Sequence, residues 1–508
     1  MEIFSLQSLL FFLLSISLFI FLHGQNQSKK PNSKGIKAYP IVGNLPEFLK
    51  NRHRPHDWFT EVLADQPTNT VTFQRPGKVR EVITANPMNV EYMLKTNFDN
   101  YPKGDLFISL LEDFLGGGIF NSDGELWKVQ RKTASFEFNT KSLRNFAVET
   151  VHFEIQHRLL PLLQKSSENG ETVDLQDILE RFSFDNVCKV AFNADPACLG
   201  GDGDSSSELS PNFSRAFSDA TNLSAERFLY VMPFLWKIKK LFNIGSERRL
   251  RESIMIVHDF ATKIIRSKKK DGSNHNDDLL SRFIASGDNS DDFLRDIVVS
   301  FILAGRDTTS TALAWFFWLL SSRPDVEQKI LDELKSVRSR NPNSGEVFSL
   351  EELREMHYLH ASISEALRLY PPVAIDSKEC LKDDVLPDGT FIRKGWFVAY
   401  QAYAMGRMES IWGKDSRSFL PERWLENGSF RPESPFKYPV FHAGPRMCLG
   451  KEMAYIQMKL IAACLIERFE IDVLEKNKCP EHMLSLTLRM KEGLPTRIKK
   501  KCDYVGHI

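Results

Sequence analysis

The spacing of apolar residues separates an uncharged N-terminal segment from a longer, amphipathic body. Twenty residues from Ile3 to Leu22 carry no charge and consist mainly of Leu, Phe and Ile. A helix over this stretch is about 30 Å long, which matches the hydrocarbon core of a bilayer. No basic residue precedes the segment and no small-residue cleavage site follows it, so a retained anchor is favoured over a cleaved signal peptide. We therefore predict a membrane anchor over residues 1–24.

The segment behind the anchor is basic and contains several Pro and Gly residues. Four lysines precede its first acidic residue, Glu47: Lys29, Lys30, Lys34 and Lys37. By the positive-inside rule, this side of the anchor and the body behind it face the cytosol. The Pro and Gly residues between Gly35 and Pro46 cannot continue the anchor helix. We predict a hinge over residues 25–50 and one catalytic domain over residues 51–508.

In the body, helical periodicity dominates from about residue 120 to residue 370. Shorter strand-like runs, such as Thr390–Tyr403, cluster in the last third of the chain. Two short polar stretches, residues 200–211 and 267–278, are predicted as surface loops between helices. The pattern predicts a mainly α fold with a smaller β-rich part.

Composition and charge narrow the choice of function. The 508 residues have a formal net charge of zero, which gives no indication of a nucleic-acid partner. The seven cysteines are odd in number, scattered and without a C-x-x-C pair, which argues against a disulfide framework or a zinc ribbon. Such cysteines are typical of a reducing compartment. The 38 phenylalanines suit either an aromatic core or an apolar cavity.

The most specific motif surrounds one cysteine near the C-terminus. The sequence matches F-x-x-G-x-R-x-C-x-G at five positions, which are Phe441, Gly444, Arg446, Cys448 and Gly450. A thiolate ligand pushes electron density onto haem iron and favours cleavage of the O–O bond. Flanking glycines let backbone amides approach the sulfur, and an arginine fork suits a haem propionate.

The run that follows the motif, Lys451–Leu465, is helical in pattern. A helix N-terminus beside the sulfur favours the thiolate over the thiol. The alternative is a structural cysteine in a Gly-containing loop.

With this motif the chain resembles the cytochrome P450 family over almost its whole length. The resemblance implies the cytochrome P450 fold, haem b with Cys448 as axial ligand to the iron, and O₂ as co-substrate. It also implies electrons from a separate NADPH-dependent reductase, which would dock on the Cys448 side near Lys128, Lys132 and Lys451. A single-pass protein of the endoplasmic reticulum membrane, with its catalytic domain in the cytosol, is the corresponding localisation.

A second family motif, E-x-x-R, is formed by Glu365 and Arg368 on a helix that ends before a Pro-Pro pair. Such a pair alone is weak evidence for a family motif, because i, i+3 ion pairs are common on solvated helices. In the family it joins an arginine from a later loop, which is Arg423 here. The resemblance implies a buried ionic triad that fixes the loop around the thiolate.

The long apolar run Phe293–Ser322 contains the segment A-G-R-D-T-T. Its threonines can compete for helix carbonyls, and a carboxylate in such a helix is costly unless it is used. The alternative is a core helix with a solvated aspartate. By resemblance, Thr308 and Asp307 deliver protons to bound oxygen, while Ala304 and Gly305 leave room for O₂ and substrate.

Trp127 and Arg131 form a W-x-x-x-R pair one helical turn apart. In the family both side chains reach a haem propionate, so the resemblance places them among the residues that retain the cofactor.

Within the family, the chain is most similar to the plant fatty-acid ω-hydroxylase group. The resemblance rests on Asp384–Thr390, Tyr403–Arg407 and Phe441–Lys459. The segments expected to face substrate are residues 101–120, 301–309, 371–375 and 484–488, which are rich in Phe, Leu, Ile and Val.

These segments suit an acyl chain and would suit a sterol nearly as well. The expected reaction is hydroxylation of the ω or a near-terminal carbon of a fatty acid, and Lys103 is one candidate anchor for its carboxylate. A jasmonate conjugate or a sterol side chain is the alternative substrate. One further alternative is a haem-thiolate isomerase or dehydratase that needs no O₂, and Asp307 and Thr308 argue against it. Another is a haem-binding sensor or carrier.

Overall fold

The computed structural model describes residues 36–501, apart from residues 37, 40–41, 76–79, 139–140, 201–209, 231–233, 272–277, 288, 342–344 and 484. The predicted anchor, the four lysines behind it and most of the predicted hinge lie outside the described residues, as do Leu484 and Cys502. The helices within the described ranges are all too short or too polar to cross a bilayer.

The described helices in chain order are α1 Leu45–Lys50, α2 Pro55–Ala64, α3 Pro87–Glu91, α4 Asp105–Leu115, α5 Gly124–Phe138, α6 Lys141–Glu154, α7 Leu160–Asn169, α8 Leu175–Phe192, α9 Ser210–Glu226, α10 Phe234–Phe242, α11 Ser246–Asp271, α12 Leu279–Ala285, α13 Asp291–Ser321, α14 Pro324–Arg340, α15 Leu350–Glu355, α16 His357–Leu369, α17 Ala402–Met405, α18 Glu409–Trp412 and α19 Lys451–Arg468. Two π-helical turns, Tyr92–Thr96 and Ile155–Leu159, continue α3 and α6.

The strands in chain order are β1 Thr70–Gln74, β2 Arg80–Thr84, β3 Thr172–Asp174, β4 Asp376–Glu379, β5 Asp384–Val385, β6 Phe391–Ile392, β7 Phe397–Tyr400, β8 Leu425–Glu426, β9 Ser429–Phe430, β10 Phe469–Val473 and β11 Pro495–Lys500. A four-stranded sheet has the order β1-β2-β7-β4, and a three-stranded sheet has the order β10-β11-β3. Strands β2 and β7 are parallel, whereas the other neighbours in these two sheets are antiparallel. The strands thus form small sheets beside a mainly helical body, which confirms the predicted fold class.

Helix α13 is the central element of the helical body. Ser290 caps it by accepting a hydrogen bond from the backbone N–H of Phe293 at 3.2 Å, and Asp291 and Asp292 complement the helix dipole in the first turn. The helix ends at Ser321, before Pro324 opens the next one. It packs most extensively against α8 and also contacts α11, α16 and α19. Because it is buried along most of its length, its residues face both the core and the site.

Two predictions from the sequence need correction, and one pair of strands is absent from the prediction. The run Thr390–Tyr403 is two short strands followed by the start of a helix, because Gly395, at φ +78°, breaks it. The hairpin β1–β2 was not predicted, although it adds two strands to the sheet that contains β7. Residues 267–271, predicted as loop, form the last turn of α11, where Lys268 pairs with Asp278 and lysines complement the helix dipole.

The C-terminal part of the predicted hinge, residues 25–50, is among the described residues. Its last residues form α1 and pack on the body, where Phe48 contacts the Trp58 ring edge-on at 6.1 Å. The side-chain oxygen of Asn44 accepts a hydrogen bond from the backbone N–H of Gln74 at 2.6 Å. These contacts tie Phe48 to helix α2 and Asn44 to strand β1.

A buried carboxyl in α6 makes the stability of the helical body depend on pH. Glu154 accepts a hydrogen bond from Arg158 at 2.5 Å, but its second oxygen is buried without a hydrogen-bond partner among the described residues. Burial raises the pKa of Glu154 to about 8, although Arg158 acts to lower it. The folded state therefore holds this proton above the ordinary value of 4.5, and stability falls as the pH rises between 4.5 and about 8.

We expect E154Q to lose less thermal stability than the wild type between about pH 6 and about pH 9, because it has no carboxyl to ionise. Thermal unfolding followed by circular dichroism at several pH values checks this. The exposed Glu168 offers a control, since E168Q is expected to follow the wild-type curve. Parallel curves for E154Q and the wild type would contradict the prediction.

Candidate active site

One cavity of about 550 Å³ lies between α13, the sheet β1-β2-β7-β4 and the loop that carries Cys448. All four segments predicted to face substrate contribute to its wall, for example through Phe107, Phe301, Val373 and Leu486. Most of the lining is apolar, and such a surface binds a hydrocarbon chain by excluding water.

The loop before α19 presents Cys448 to this cavity. The backbone N–H of Cys448 donates to the carbonyl of Phe441 at 2.8 Å, and that of Met447 donates to the carbonyl of Gly444 at 3.0 Å. Phe441 lines the cavity and packs its ring 5.3 Å from that of Tyr455. The loop therefore holds the sulfur at a fixed place in the wall.

The two glycines of the motif have different structural roles. Gly444 has φ +64°, and a Cβ there would lie 1.9 Å from the carbonyl oxygen of Leu94. Its absence of a side chain lets the loop pack directly on the π-helical turn Tyr92–Thr96. Gly450 instead donates its backbone N–H towards Cys448.

Charge around the sulfur favours a metal-bound thiolate. Burial raises the pKa of the Cys448 thiol, while the Gly450 N–H, Arg131 and Lys451 lower it. Gly450 is also the N-cap of α19, so the positive end of that helix adjoins the sulfur. A metal ion deprotonates a coordinating thiol outright, and the surroundings then stabilise the thiolate.

The cavity wall around Cys448 has an excess of positive charge. Lys103, Arg131 and Arg446 line it, with Asp376 as the one carboxylate among the described lining residues there. One further cation and one further anion lie behind these lining residues. The cation is Lys378, which donates to Asp376 at 2.7 Å, and the anion is Asp123, which pairs with Arg446 at 2.6 Å.

The expected haem fits this wall. The excess of two positive charges matches two propionates, and the Nε of Arg446 is buried without a hydrogen-bond partner among the described residues. Cys448 would hold the iron, and Lys103, Arg131 and Arg446 would hold the propionates.

Two further groups complete this cluster. The Tyr400 hydroxyl is hydrogen-bonded to Nδ1 of His442, and burial lowers the pKa of His442 to about 4, so the ring is neutral. Burial also lowers the pKa of Lys378 to about 7, against the attraction of Asp376. The sequence does not identify Lys378, Asp376 and His442 as site residues. Only the packing of β4 on the Cys448 loop brings them together.

Trp127 and Arg131 lie on the same face of α5, as their spacing predicts. The buried Trp127 ring stacks below the guanidinium of Arg446, 4.3 Å from the ring centre. Arg131 lines the cavity and donates to the carbonyl of Met447. Trp127 thus supports the arginine that faces the cavity, and Arg131 also braces the loop beside Cys448.

The A-G-R-D-T-T segment places two polar side chains on different sides of α13. Thr308 lines the cavity, and its hydroxyl donates to the carbonyl of Ala304 at 2.5 Å. Asp307 is 1% exposed and points away from the cavity lining, so the alternative of a solvated carboxylate is wrong. Ala304 and Gly305 line the cavity next to Thr308. A Cβ at Gly305 would lie 2.4 Å from the side chain of Val187, so this glycine also allows α8 and α13 to pack closely.

A buried ionic network extends from Asp307 to neighbouring helices. Arg306, 1% exposed, pairs with Asp307 at 2.6 Å and with Glu180 of α8 at 3.1 Å. It also donates to Ser214 and Ser218 of α9, and Arg489 pairs with Glu180 at 2.6 Å. These partners cannot be identified from the sequence, although Arg306, directly before Asp307, indicates a counter-ion for the carboxylate.

Glu365, Arg368 and Arg423 form a buried ionic triad. Arg368 makes two bonds of 2.7 Å to the Glu365 carboxylate, and Arg423 reaches it at 3.3 Å. Trp424 and the backbone of Leu420 also donate to Glu365.

The triad holds a different segment from the one predicted. Arg368 donates to carbonyls of Gly406, Ser416 and Ser418, which lie before the Cys448 loop. The Cys448 loop is tied to the same helix separately, by the Tyr438 hydroxyl, which donates to the carbonyl of Ser364 at 3.1 Å.

Comparisons with known proteins agree with this site. The family model described as cytochrome P450 matches residues 34–496. Cytochrome P450 CYP94D108 from Paris polyphylla is 54% identical over 480 residues, which cover 94% of each chain. Cytochrome P450 94A1 from Vicia sativa is 47% identical over 92% of this chain and 90% of its own. Cytochrome P450 94B1 from Arabidopsis thaliana is 47% identical over 94% of each chain. These matches confirm the predicted resemblance, and the chain belongs to the cytochrome P450 family.

Proposed function

We propose that this cytochrome P450 monooxygenase hydroxylates the ω or a near-terminal carbon of a fatty acid. As a member of its family, it uses haem b with a cysteine thiolate ligand, O₂, and electrons from NADPH delivered through a reductase. We assign the ligand to Cys448.

The observation that carries the proposal is the mostly apolar cavity of about 550 Å³, which would hold haem and substrate together and has both Cys448 and Thr308 in its wall. An unbranched chain gains about 0.8 kcal/mol for each CH₂ group that such a wall takes from water. The similarity to the plant fatty-acid ω-hydroxylase group over Asp384–Thr390 and Phe441–Lys459 indicates kinship with that group.

The haem supplies the oxygen chemistry, and the residues of this chain position the substrate and handle protons. Phe301, Val373 and Leu486 exclude water from the reacting end of the chain. The Thr308 hydroxyl holds a hydrogen bond at the cavity wall. We propose that Asp307, on the other side of α13, takes part in proton supply, while Arg306 holds its carboxylate within the buried network of α8 and α9.

We expect T308A to lower the rate of product formation about 100-fold, because a positioned proton donor contributes at least that much. NADPH oxidation should continue, so less product forms per NADPH consumed. Ser310 provides a matched control: its hydroxyl also donates to the carbonyl four residues earlier, at 2.7 Å, but it does not line the cavity. S310A should therefore behave as the wild type does. A T308A enzyme with wild-type coupling would contradict the role of Thr308.

We further propose that residues 1–24 anchor the protein in the endoplasmic reticulum membrane, with the catalytic domain in the cytosol. The twenty uncharged residues and the lysines behind them support this arrangement. For the reductase, Lys132 and Lys451 are exposed on the Cys448 side, while Lys128 is paired with Glu125 at 2.8 Å. Cations there would attract an acidic partner surface.

The function is tested by incubating the reconstituted enzyme with reductase, NADPH and, separately, a long-chain fatty acid, a jasmonoyl–amino acid conjugate and a sterol. Mass spectrometry of the products then locates the hydroxyl group. We expect the fatty acid to be the best substrate, with the hydroxyl at or next to the terminal carbon. Preferred turnover of the conjugate or the sterol, or hydroxylation in mid-chain, would overturn the proposal.

A further inference from the structure

The cationic side chains that line the cavity stand in two separate places. Lys103, Arg131 and Arg446 surround Cys448, whereas Arg75 stands apart, directly after strand β1. The lining histidines are neutral, because burial lowers the pKa of His56 to about 3 and that of His442 to about 4. Among the described lining residues, Arg75 is thus the cation outside the Cys448 cluster.

The sheet gives the separation between these two places. Arg75 follows β1 at one edge of the four-stranded sheet, and Asp376 opens β4 at the other edge. Three strand spacings amount to about 14 Å. In the pairing register of the four strands, Asp376 lies level with Thr70 of β1. Arg75 lies beyond Thr70 in the direction of β1, by about 17 Å. Arg75 and Asp376, which line the cavity at the two edges of the sheet, are therefore on the order of 20 Å apart.

The surroundings of Arg75 leave part of its guanidinium able to bind an anion. Its Nε and Nη2 donate to Glu81 at 2.9 and 2.6 Å, and its Nη1 reaches the carbonyl of Phe228 only at 3.4 Å. A guanidinium has five N–H groups in a rigid fork, so two remain beyond these bonds within the described part of the chain. The side chain is 41% exposed.

The same wall carries a second polar group. Tyr230, two residues after Phe228, lines the cavity, and its hydroxyl accepts a hydrogen bond from Lys239 at 2.9 Å. The region near Arg75 is thus polar, with Glu81 and Tyr230 also in the wall, unlike the apolar middle of the cavity.

We propose that Arg75 binds the carboxylate of the substrate. The inference rests on the proposed function: an acid whose terminal carbon lies beside Thr308, where oxygen and substrate meet, must place its carboxylate at the remote end of the cavity. A carboxylate left in the apolar middle would lose its hydration without a partner. The cations around Cys448 are occupied by Asp376, Asp123 and the haem propionates, which leaves Arg75 as the anchor. Glu81 holds the guanidinium in place and keeps the fork oriented.

With this anchor, the length of the acyl chain determines which carbon is hydroxylated. With the carboxylate fixed at Arg75, only a chain that spans the cavity brings its terminal carbon to Thr308. Shorter acids are held by the same anchor but bury fewer CH₂ groups, so they bind more weakly.

The test compares tetradecanoic acid with its methyl ester, each titrated calorimetrically into the holoenzyme. R75A should weaken binding of the acid about 10- to 100-fold, the value of a hydrogen bond to a charged group, and leave the ester unchanged. R75K should fall between R75A and the wild type, because it keeps the charge but loses the fork. Arg80 gives a matched control on the same hairpin: it lies 5.1 Å over the Trp396 ring and does not line the cavity, so R80A should bind both ligands as the wild type does.

E81Q separates an anchor from a purely structural ion pair. If Arg75 is the anchor, E81Q keeps or tightens acid binding, because the fork loses a competing carboxylate. If the pair only stabilises the hairpin, R75A and E81Q weaken the acid and the ester alike, and the anchor is refuted. Unchanged acid binding in R75A also refutes it, while the proposed function stands. A wild type that keeps its haem–CO band but binds neither ligand overturns the fatty-acid substrate and the anchor together.

Discussion

The C448A protein is expected to lose its red-shifted reduced-plus-CO absorption band and all NADPH-dependent hydroxylation. Removing the sulfur takes away the ligand that pushes electron density onto the iron, and no other described cysteine lines the cavity. The fold should survive, because Cys448 is held by backbone bonds to Phe441 that alanine retains.

The matched control is Cys464, which is fully buried in α19, the helix that follows the same loop. C464A should keep the band and the activity, with some loss of stability from the cavity it leaves. Difference spectra and circular dichroism of both variants decide the question. A C448A protein that is folded and still shows the wild-type band would remove the assignment of the axial ligand.

The E365Q protein is expected to be less stable than the wild type by about 3–5 kcal/mol, the cost of breaking a buried ion pair. Glu365 and Arg368 are both fully buried, so the substitution leaves Arg368 without its counter-charge, whereas Arg423 keeps Asp415 at 3.0 Å. Arg368 then holds the carbonyls of Gly406, Ser416 and Ser418 less firmly, so haem retention should fall as well.

Urea unfolding followed by tryptophan fluorescence measures the effect. The exposed pair Arg248–Glu252, at 3.0 Å, is the control, because exposed pairs contribute at most about 1 kcal/mol. E252Q should therefore unfold as the wild type does. Equal unfolding midpoints for E365Q and E252Q would show that the triad is not a stabilising element.

The sequence predicts those parts of the site that are set by local spacing. Phe441, Cys448 and Gly450 lie in one short loop, and Glu365 and Arg368 lie one helical turn apart, so their neighbours follow from chain geometry. The mainly helical fold follows from periodicity in the same way, since α13 keeps one apolar pattern over its 31 residues.

The missed parts depend on long-range packing. Lys103 and Asp376 are 273 residues apart, and Arg306 and Glu180 are 126 residues apart, so no spacing rule joins them. Strands β1 and β2 were missed because five residues each are too few for periodicity to separate strand from loop. Gly305 was predicted to make room in the cavity, and only the position of Val187 reveals its packing role.

The two excess positive charges around Cys448 affect the abundance of this protein in the cell. Without a dianion there, Lys103, Arg131 and Arg446 repel one another in a poorly hydrated wall, and the chain opens more readily. Haem binding then stabilises the native state by mass action, since the unfolded chain has no such wall. Newly synthesised chains that outnumber the haem supply are therefore expected to be degraded first, so that cofactor synthesis sets the abundance of the enzyme.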